Sequence, residues 1–525
     1  MSLIQPRRVQ WAAGVLAVVT SLVAVACGSD EPDSAATSPP STGAAGTASY
    51  ETAPCPNPIV PGVPQIDLGP EFECGYLTAP ENRSRPDGRT IRIAVARIKT
   101  TAPNPNPDPI LYLAGGPGGT GLAAAVQRIA AGWNADREVI FIDQRGTLKA
   151  EPLLSCTEID AFVSDAVYVA ATDPATREQS GAATRECYNR LAAEGYDLGT
   201  YDTDENAADV ADLRVALGIE EWNLYGVSYG TDLALQTVRD HPEGIRSLVL
   251  DSLVPPQDNL MKGFWPNAAE GYRALFDACA AEPACASAFP DVESEFTSLV
   301  TSLAEQPRSI EVTDPTTGQP TTVVIDGYTL ANLLVVASLV PGSIAKLPAM
   351  IHDLATGSGT LAAEAVLGNR PPSGLTGYGL ALGVFCSEQV PFTSAAQALS
   401  DAKAVLPGFP DAVLSLLPQA PYIFSDCAEW IVPKAADRVH EPARTDIPVL
   451  LLAGSLDAIT PPSWADVAAS TLPNAHIVRI PGAGHDVMIW SPECAVTVMH
   501  NFLNQPTGFD DSCVAGLTVP PFTTT

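Results

Sequence analysis

Positive charge is scarce in this 525-residue chain, where 28 Lys and Arg stand against 60 Asp and Glu and the formal net charge is −32. So acidic a surface repels phosphate backbones and anionic lipid head groups, which excludes nucleic acid as a direct partner. The signature of zinc is missing too: no close C-x-x-C pair and no Cys/His cluster occurs, so we expect no metal. Apart from one N-terminal stretch, no segment is apolar for long enough to span a bilayer. The loop Ala114-Gly115-Gly116-Pro117-Gly118-Gly119 lacks both the Gly-Lys-Ser/Thr ending of a phosphate-binding loop and the G-x-G-x-x-G spacing. Phosphate binding is therefore the weaker reading of that loop.

What is present begins with an export signal. Arg7 and Arg8 supply the positive region, residues 11–25 the apolar region, and small residues lead into Cys27. Ala24-Val25-Ala26-Cys27 resembles a bacterial lipobox. That resemblance implies a signal peptide over 1–26, diacylglycerol on the Cys27 sulfur, and a protein tethered to the membrane outside the cytoplasm. An ordinary secretory signal is the alternative. Residues 27–54, rich in Ser, Thr, Ala, Gly and Pro, lack the periodicity needed to bury a face and read as a disordered tether. Ten further cysteines, an even number in an exported chain, suggest disulfides. Spacing alone does not give their connectivity. Pairing sequence neighbours is one economical scheme: Cys55 with Cys74, Cys156 with Cys187, Cys279 with Cys285, Cys386 with Cys427, and Cys494 with Cys513. Nothing in the sequence specifies an oligomeric state.

Short β-like runs alternate with helix-like stretches, the pattern of an α/β fold with a mostly parallel sheet. Residues 73–78 and 90–99 alternate polar and apolar like antiparallel edge strands. Buried-type runs follow at 110–113, 139–142, 222–225, 247–250, 449–452 and 476–480. Residues 205–217 carry apolar positions at helical spacing and stop at Gly218. Between 251 and 447 the strand rhythm disappears, and nothing there completes a second sheet. We read the core as 55–257 and 441–525, with 258–440 a helical cap inserted after the sixth strand. A separate binding domain is the alternative for that insertion.

Chemistry concentrates at the strand ends. Gly226-Val227-Ser228-Tyr229-Gly230 joins a short apolar run to a helix-like stretch, as a nucleophile elbow does, making Ser228 the candidate nucleophile. A serine attacks acyl carbon only when a base takes its proton and a third group orients that base. Asp457 lies just beyond the run 449–452, and His485 ends Pro481-Gly482-Ala483-Gly484-His485 after the last strand. The order Ser, Asp, His suits an α/β-hydrolase. Asp251, ending the run 247–250, is a rival acid, whereas His241, His352, His440, His476 and His500 fall in helical, cap or strand contexts. Backbone donors for an oxyanion are expected from Tyr229 and from Gly115 and Gly116 in the Gly-rich loop, each donor being worth roughly 10² to 10³ in rate.

These motifs, with Phe141-Ile142-Asp143-Gln144-Arg145-Gly146, resemble secreted actinobacterial α/β-hydrolases related to tripeptidyl and prolyl aminopeptidases, from about Cys55 to Cys513. Ala114 stands where those proteins have histidine, and Thr147-Leu148-Lys149 replaces their Thr-Gly. The resemblance implies a serine aminopeptidase that releases short peptides from free amino termini without a cofactor. It also implies that Glu388 binds the substrate ammonium; a solvated cap charge is the alternative. A carboxylesterase would use the same three residues, and a non-catalytic binding lipoprotein could reuse the fold.

Overall fold

A computed structural model describes residues 48–56, 68–315, 317–370 and 373–524, all within the second of two units, Ala45–Thr525. The expected signal peptide 1–26, the Cys27 lipidation site and the tether up to residue 47 lie outside the described residues. The tether does not extend to residue 54 as expected. Ser49–Ala53 (β1) is a strand, paired antiparallel with Glu73–Pro80 (β2) and tied to it by the Cys55–Cys74 disulfide. The exposed edge of β2 offers unpaired amides and carbonyls, and a segment without apolar alternation can still satisfy them.

Among the described residues nine strands form one sheet in the order β1-β2-β3-β5-β4-β6-β7-β10-β11. The remaining seven are Thr90–Ile98 (β3), Asn106–Leu113 (β4), Arg137–Ile142 (β5), Trp222–Val227 (β6), Ile245–Asp251 (β7), Val449–Gly454 (β10) and Ala475–Ile480 (β11). From β5 to β11 every neighbour is parallel, while β1, β2 and β3 pair antiparallel at one edge. Strand periodicity divides the core in two. Leu111, Leu224 and Leu451 join one apolar cluster, and Ile110, Tyr112, Tyr225 and Leu450 join the other, so both faces of the central strands are covered.

Register decides where the strands stop together. Val227 lies opposite Asp251, Asp251 opposite Leu452, and Gly454 opposite Ile480. The loops leaving β6, β7, β10 and β11 therefore open at one rim, where an open parallel sheet places its ligand crevice. Helix Tyr229–Asp240 (α5) follows β6 directly.

Counting β1, the long insertion follows the seventh strand in the chain, not the sixth. It is mainly helical from Leu260–Ala281 (α6) onward, but it is not free of sheet: Arg308–Thr313 (β8) and Pro320–Ile325 (β9) form an antiparallel pair. The β-branched residues Ile310, Val312, Val323 and Ile325 bury one face of this hairpin. The alternation in residues 308–313 is too short to stand out among helical neighbours.

A second stretch, expected in the core, packs against the insertion. Thr157–Asp165 (α2) and Pro174–Ala193 (α3) lie between β5 and β6. Ser180 donates to Asp426 (2.9 Å), Tyr188 to the Ile431 carbonyl (3.0 Å), and Arg185 pairs with Glu429 (2.8 Å). Among the described residues five disulfides join Cys55–Cys74, Cys156–Cys187, Cys279–Cys285, Cys386–Cys427 and Cys494–Cys513. Among the described residues no helix is long and apolar enough to cross a membrane.

Candidate active site

Ser228 occupies the turn between β6 and α5 with φ 56° and ψ −127°, a left-handed conformation unusual for a residue with a side chain. Such strain costs about 1–3 kcal/mol and persists only where the surroundings enforce it. Here the flanking glycines leave the room it needs. A Cβ on Gly226 would stand 2.2 Å from the Gly230 carbonyl oxygen, and one on Gly230 would stand 2.1 Å from that of Leu113. Only the pattern Gly-x-Ser-x-Gly lets the chain turn this tightly. The Tyr229 amide begins α5 and has no partner within the helix, so it is free to face a developing negative charge.

His485 and Asp457, 28 residues apart in sequence, meet: His485 Nδ1–H donates to Asp457 Oδ2 at 2.9 Å. Both are buried. Burial alone would raise the Asp457 carboxyl, but the facing His485 and the amides of Thr460 and Ile459 outweigh it and hold the pKa below the ordinary aspartate value. Burial likewise opposes charge on His485; the Asp457, Asp486 and Asp251 carboxylates prevail and raise its pKa above 6.5. An ionised Asp457 only accepts hydrogen bonds, so Nδ1 carries the proton and Nε2 is left as the basic atom.

Thr460 completes this cluster, and the sequence reading gave it no role. Its hydroxyl donates to Asp457 Oδ2 (2.8 Å), and the same oxygen lies 3.1 Å from His485 Nδ1. The Thr460 and Ile459 amides donate to Asp457 Oδ1 at 3.0 and 2.8 Å. The Asp-x-x-Thr spacing is a turn signal that could have revealed it. From the insertion, the Ser338 carbonyl accepts the His485 amide at 2.8 Å, and the Gly377 amide donates to the Gly118 carbonyl at 2.9 Å. No sequence signal points to Ser338.

Ser228 makes no hydrogen bond to His485; in sites of this kind that bond commonly tightens only in the complex with substrate. The two loops are joined through the end of β7 instead. The Ser228 amide donates to the Asp251 carbonyl (3.0 Å), and the Asp486 amide donates to Ser252 Oγ (2.7 Å). Asp251, the rival acid, is not bonded to His485. Its carboxylate accepts the Tyr225 hydroxyl (2.6 Å) and the Val487 amide (3.0 Å).

The Gly-rich loop stands against the elbow. A Cβ on Gly115 would be 2.7 Å from Ser228 Cβ, and Gly116 follows with φ 117°. Its supports come from the segment after β5. Gln144 Nε2 donates to the Ala114 carbonyl (2.9 Å), and Asp143 accepts the Thr120 hydroxyl (2.6 Å) and the Leu122 amide (3.0 Å). Arg145 pairs with Asp209 (2.7 Å) on the helix Thr203–Ala216 (α4). The histidine-to-alanine exchange at 114 leaves the Ala114 carbonyl anchored.

Glu388 is not a solvated cap charge. It is 1% exposed, within a π-helical turn Phe385–Gln389, and its two oxygens accept the Thr203 amide and hydroxyl, each at 2.7 Å. Burial, reinforced by the nearby Asp202 and Asp232 carboxylates, raises its pKa well above the usual value. The Thr203 hydroxyl also lies 3.0 Å from the Tyr229 hydroxyl, linking Glu388 to the elbow.

A family model described as "alpha/beta hydrolase fold" matches residues 108–370 of the 525, and one described as "TAP-like protein" matches 418–513. Over 201 residues the chain is 34% identical to tripeptidyl aminopeptidase of Streptomyces lividans, covering 36% of this chain and 37% of that protein. With serine protease Hip1 of Mycobacterium tuberculosis it shares 25% identity over 231 residues, 42% of this chain and 43% of that protein. The chain thus spans less than half the length of these relatives. The crystal structure of proline iminopeptidase from Mycobacterium smegmatis aligns with 82% of this chain and 98% of its own, at 18% identity and a TM-score of 0.36, which carries no argument about activity. The parallel sheet and the match across 108–370 agree, and the chain belongs to the α/β-hydrolase fold family.

Proposed function

We propose that this hydrolase is a serine aminopeptidase that releases short peptides from free amino termini through an acyl-enzyme. Ser228 attacks the acyl carbon, His485 Nε2 takes its proton and returns it to the leaving amine, and Asp457 holds the tautomer. Water then releases the acid product, with Tyr229 and the Gly115–Gly116 backbone facing the oxyanion. The observation that carries this reading is the His485–Asp457 bond of 2.9 Å at the rim where Ser228 is held left-handed. The tripeptidyl aminopeptidase relative supports the peptide substrate.

A carboxylesterase is the second reading, favoured by Glu388. At 1% exposure and with each oxygen engaged by Thr203, its carboxylate is closed off from a substrate ammonium. One set of assays separates the readings. A fluorophosphonate should label the wild type and not Ser228→Ala, and peptide anilides with free amino termini should outrun their acetylated forms. Rapid turnover of short acyl esters, with no preference for a free amino terminus, would overturn the aminopeptidase assignment.

Export and attachment to the cell envelope through a lipid on Cys27 belong to the same proposal. Five disulfides support an oxidising compartment. Mass spectrometry of the mature N-terminus should find acylated Cys27; an unmodified, unprocessed Met1 would overturn the anchor.

A further inference from the structure

Asp251 bonds to both halves of the candidate machinery. Through its backbone it accepts the Ser228 amide at 3.0 Å; through its side chain it accepts the amides of Val487 at 3.0 Å and Met488 at 3.4 Å, two and three residues after His485. We propose that Asp251 is a positioning residue for His485, fixing the distance between the elbow and the imidazole; this rests on the serine-hydrolase reading.

The surroundings select a carboxylate at this position. Four groups donate to it, the Tyr225 hydroxyl at 2.6 Å, the Ser252 hydroxyl at 3.1 Å and the two amides, and each of its oxygens faces one of those amides. An ionised carboxylate accepts all of them, whereas an amide would turn a donor against one. The segment it holds would not adopt this shape by itself. Asp486 has φ 65° and Ser252 has φ 56°, both left-handed, and they meet through the Asp486 amide and Ser252 Oγ at 2.7 Å.

A buried cation closes the arrangement. Arg128, 3% exposed on the helix Ala125–Ala130 (α1), pairs with Asp486. Its guanidinium lies over the rings of Tyr112 and Trp133, at 5.6 and 5.3 Å from their centroids. The charged and titratable groups around Asp251 are thus Tyr225 from β6, Tyr112 from β4, Arg128 from α1, and His485 and Asp486 from the loop after β11. Burial and the neighbouring Asp486 push the Asp251 carboxyl up to about 7. Protonation would take the charge from a carboxyl that accepts from two backbone amides and two hydroxyls, weakening those bonds and loosening the loop.

The test compares the full-length wild type with Asp251→Asn and Ser252→Ala. For Asp251→Asn, the fluorophosphonate labelling rate and kcat should fall about 10- to 100-fold while KM stays within about twofold, the pattern of a misplaced reacting group. The acid limb of its rate profile should move to lower pH, because one carboxylate that raises the His485 pKa is gone. A folded Asp251→Asn with wild-type kcat, labelling rate and pH profile overturns the proposal. If that variant does not fold, Ser252→Ala decides: it removes the acceptor of the Asp486 amide and one donor to Asp251, so slowed labelling supports positioning and a wild-type rate overturns it. A wild type that resists labelling overturns the serine-hydrolase reading and this proposal with it, whereas a labelled wild type with equally labelled variants overturns positioning alone.

Discussion

Thr460 and His485 share one carboxylate oxygen: the threonine hydroxyl donates to Asp457 Oδ2 at 2.8 Å, and His485 Nδ1 lies 2.9 Å from the same atom. Hydrogen bonds to charged groups contribute about 1.5–3 kcal/mol. Thr460→Val keeps the shape and removes the hydroxyl. Its kcat should drop about tenfold or more, one factor of ten being about 1.4 kcal/mol, and Thr460→Ser should recover most of the loss. Wild-type kcat in Thr460→Val would show that the hydroxyl has no part in holding the pair.

Asp457→Asn should be far more damaging than its small change in shape suggests. An amide at this position can donate to Nδ1 and so favour the wrong tautomer, a defect costing about 10⁴ in kcat in enzymes built on this triad. Circular dichroism should show an intact fold alongside the lost activity.

The pH dependence of activity follows from His485. The raised pKa means that neutral imidazole, the basic form, accumulates only above 6.5, so kcat/KM should climb through a limb centred above that value. A limb at or below 6.5, measured with a substrate that does not titrate there, would place another group in charge.

Stability should show the opposite trend. Burial pushes Asp232 up to about 7 and Asp202 up to about 6. As pH rises from about 4, the unfolded chain releases these protons before the native chain does, so the unfolded state binds fewer protons and native stability falls toward neutrality. Thermal melts should therefore show a higher Tm at pH 5.5 than at pH 7.5. Asp232→Asn should flatten the trend; an unchanged slope would acquit Asp232. Asp457 acts in the reverse sense: its depressed pKa contributes stability present above the unfolded value and lost as pH falls through the folded one.

Glu388→Ala leaves the Thr203 amide without its partner in a buried site and the Thr203 hydroxyl with only that of Tyr229, a cost of about 1–3 kcal/mol. Glu388→Gln keeps one acceptor and should melt close to the wild type. A rise in KM confined to free-amino substrates in Glu388→Gln, with stability unchanged, would restore its role as the ammonium site.

The chain order of Ser228, Asp457 and His485, the glycines around the serine and the parallel strand rhythm were legible before any coordinates, because each depends on local rules. Left-handed turns demand small neighbours, buried parallel strands demand apolar runs, and each loop directly follows its strand. The reading failed where local signal is weak. The β1 strand and the β8–β9 hairpin are short, and their pairing is a matter of which edge is nearby. Glu388 looks the same in sequence whether solvated or, as here, enclosed by Thr203 from 185 residues away.

What the sequence determined by itself is the list of reactive groups and the strand each one follows. Only the tertiary structure decided that Asp251 holds the histidine loop while Asp457 takes the imidazole, that Thr460 joins them, and that Ser338 reaches in from the insertion. The reason is physical: strand register and long-range packing choose among chemically equivalent carboxylates and hydroxyls. That choice is made by distances of about 3 Å, which no spacing along the chain encodes.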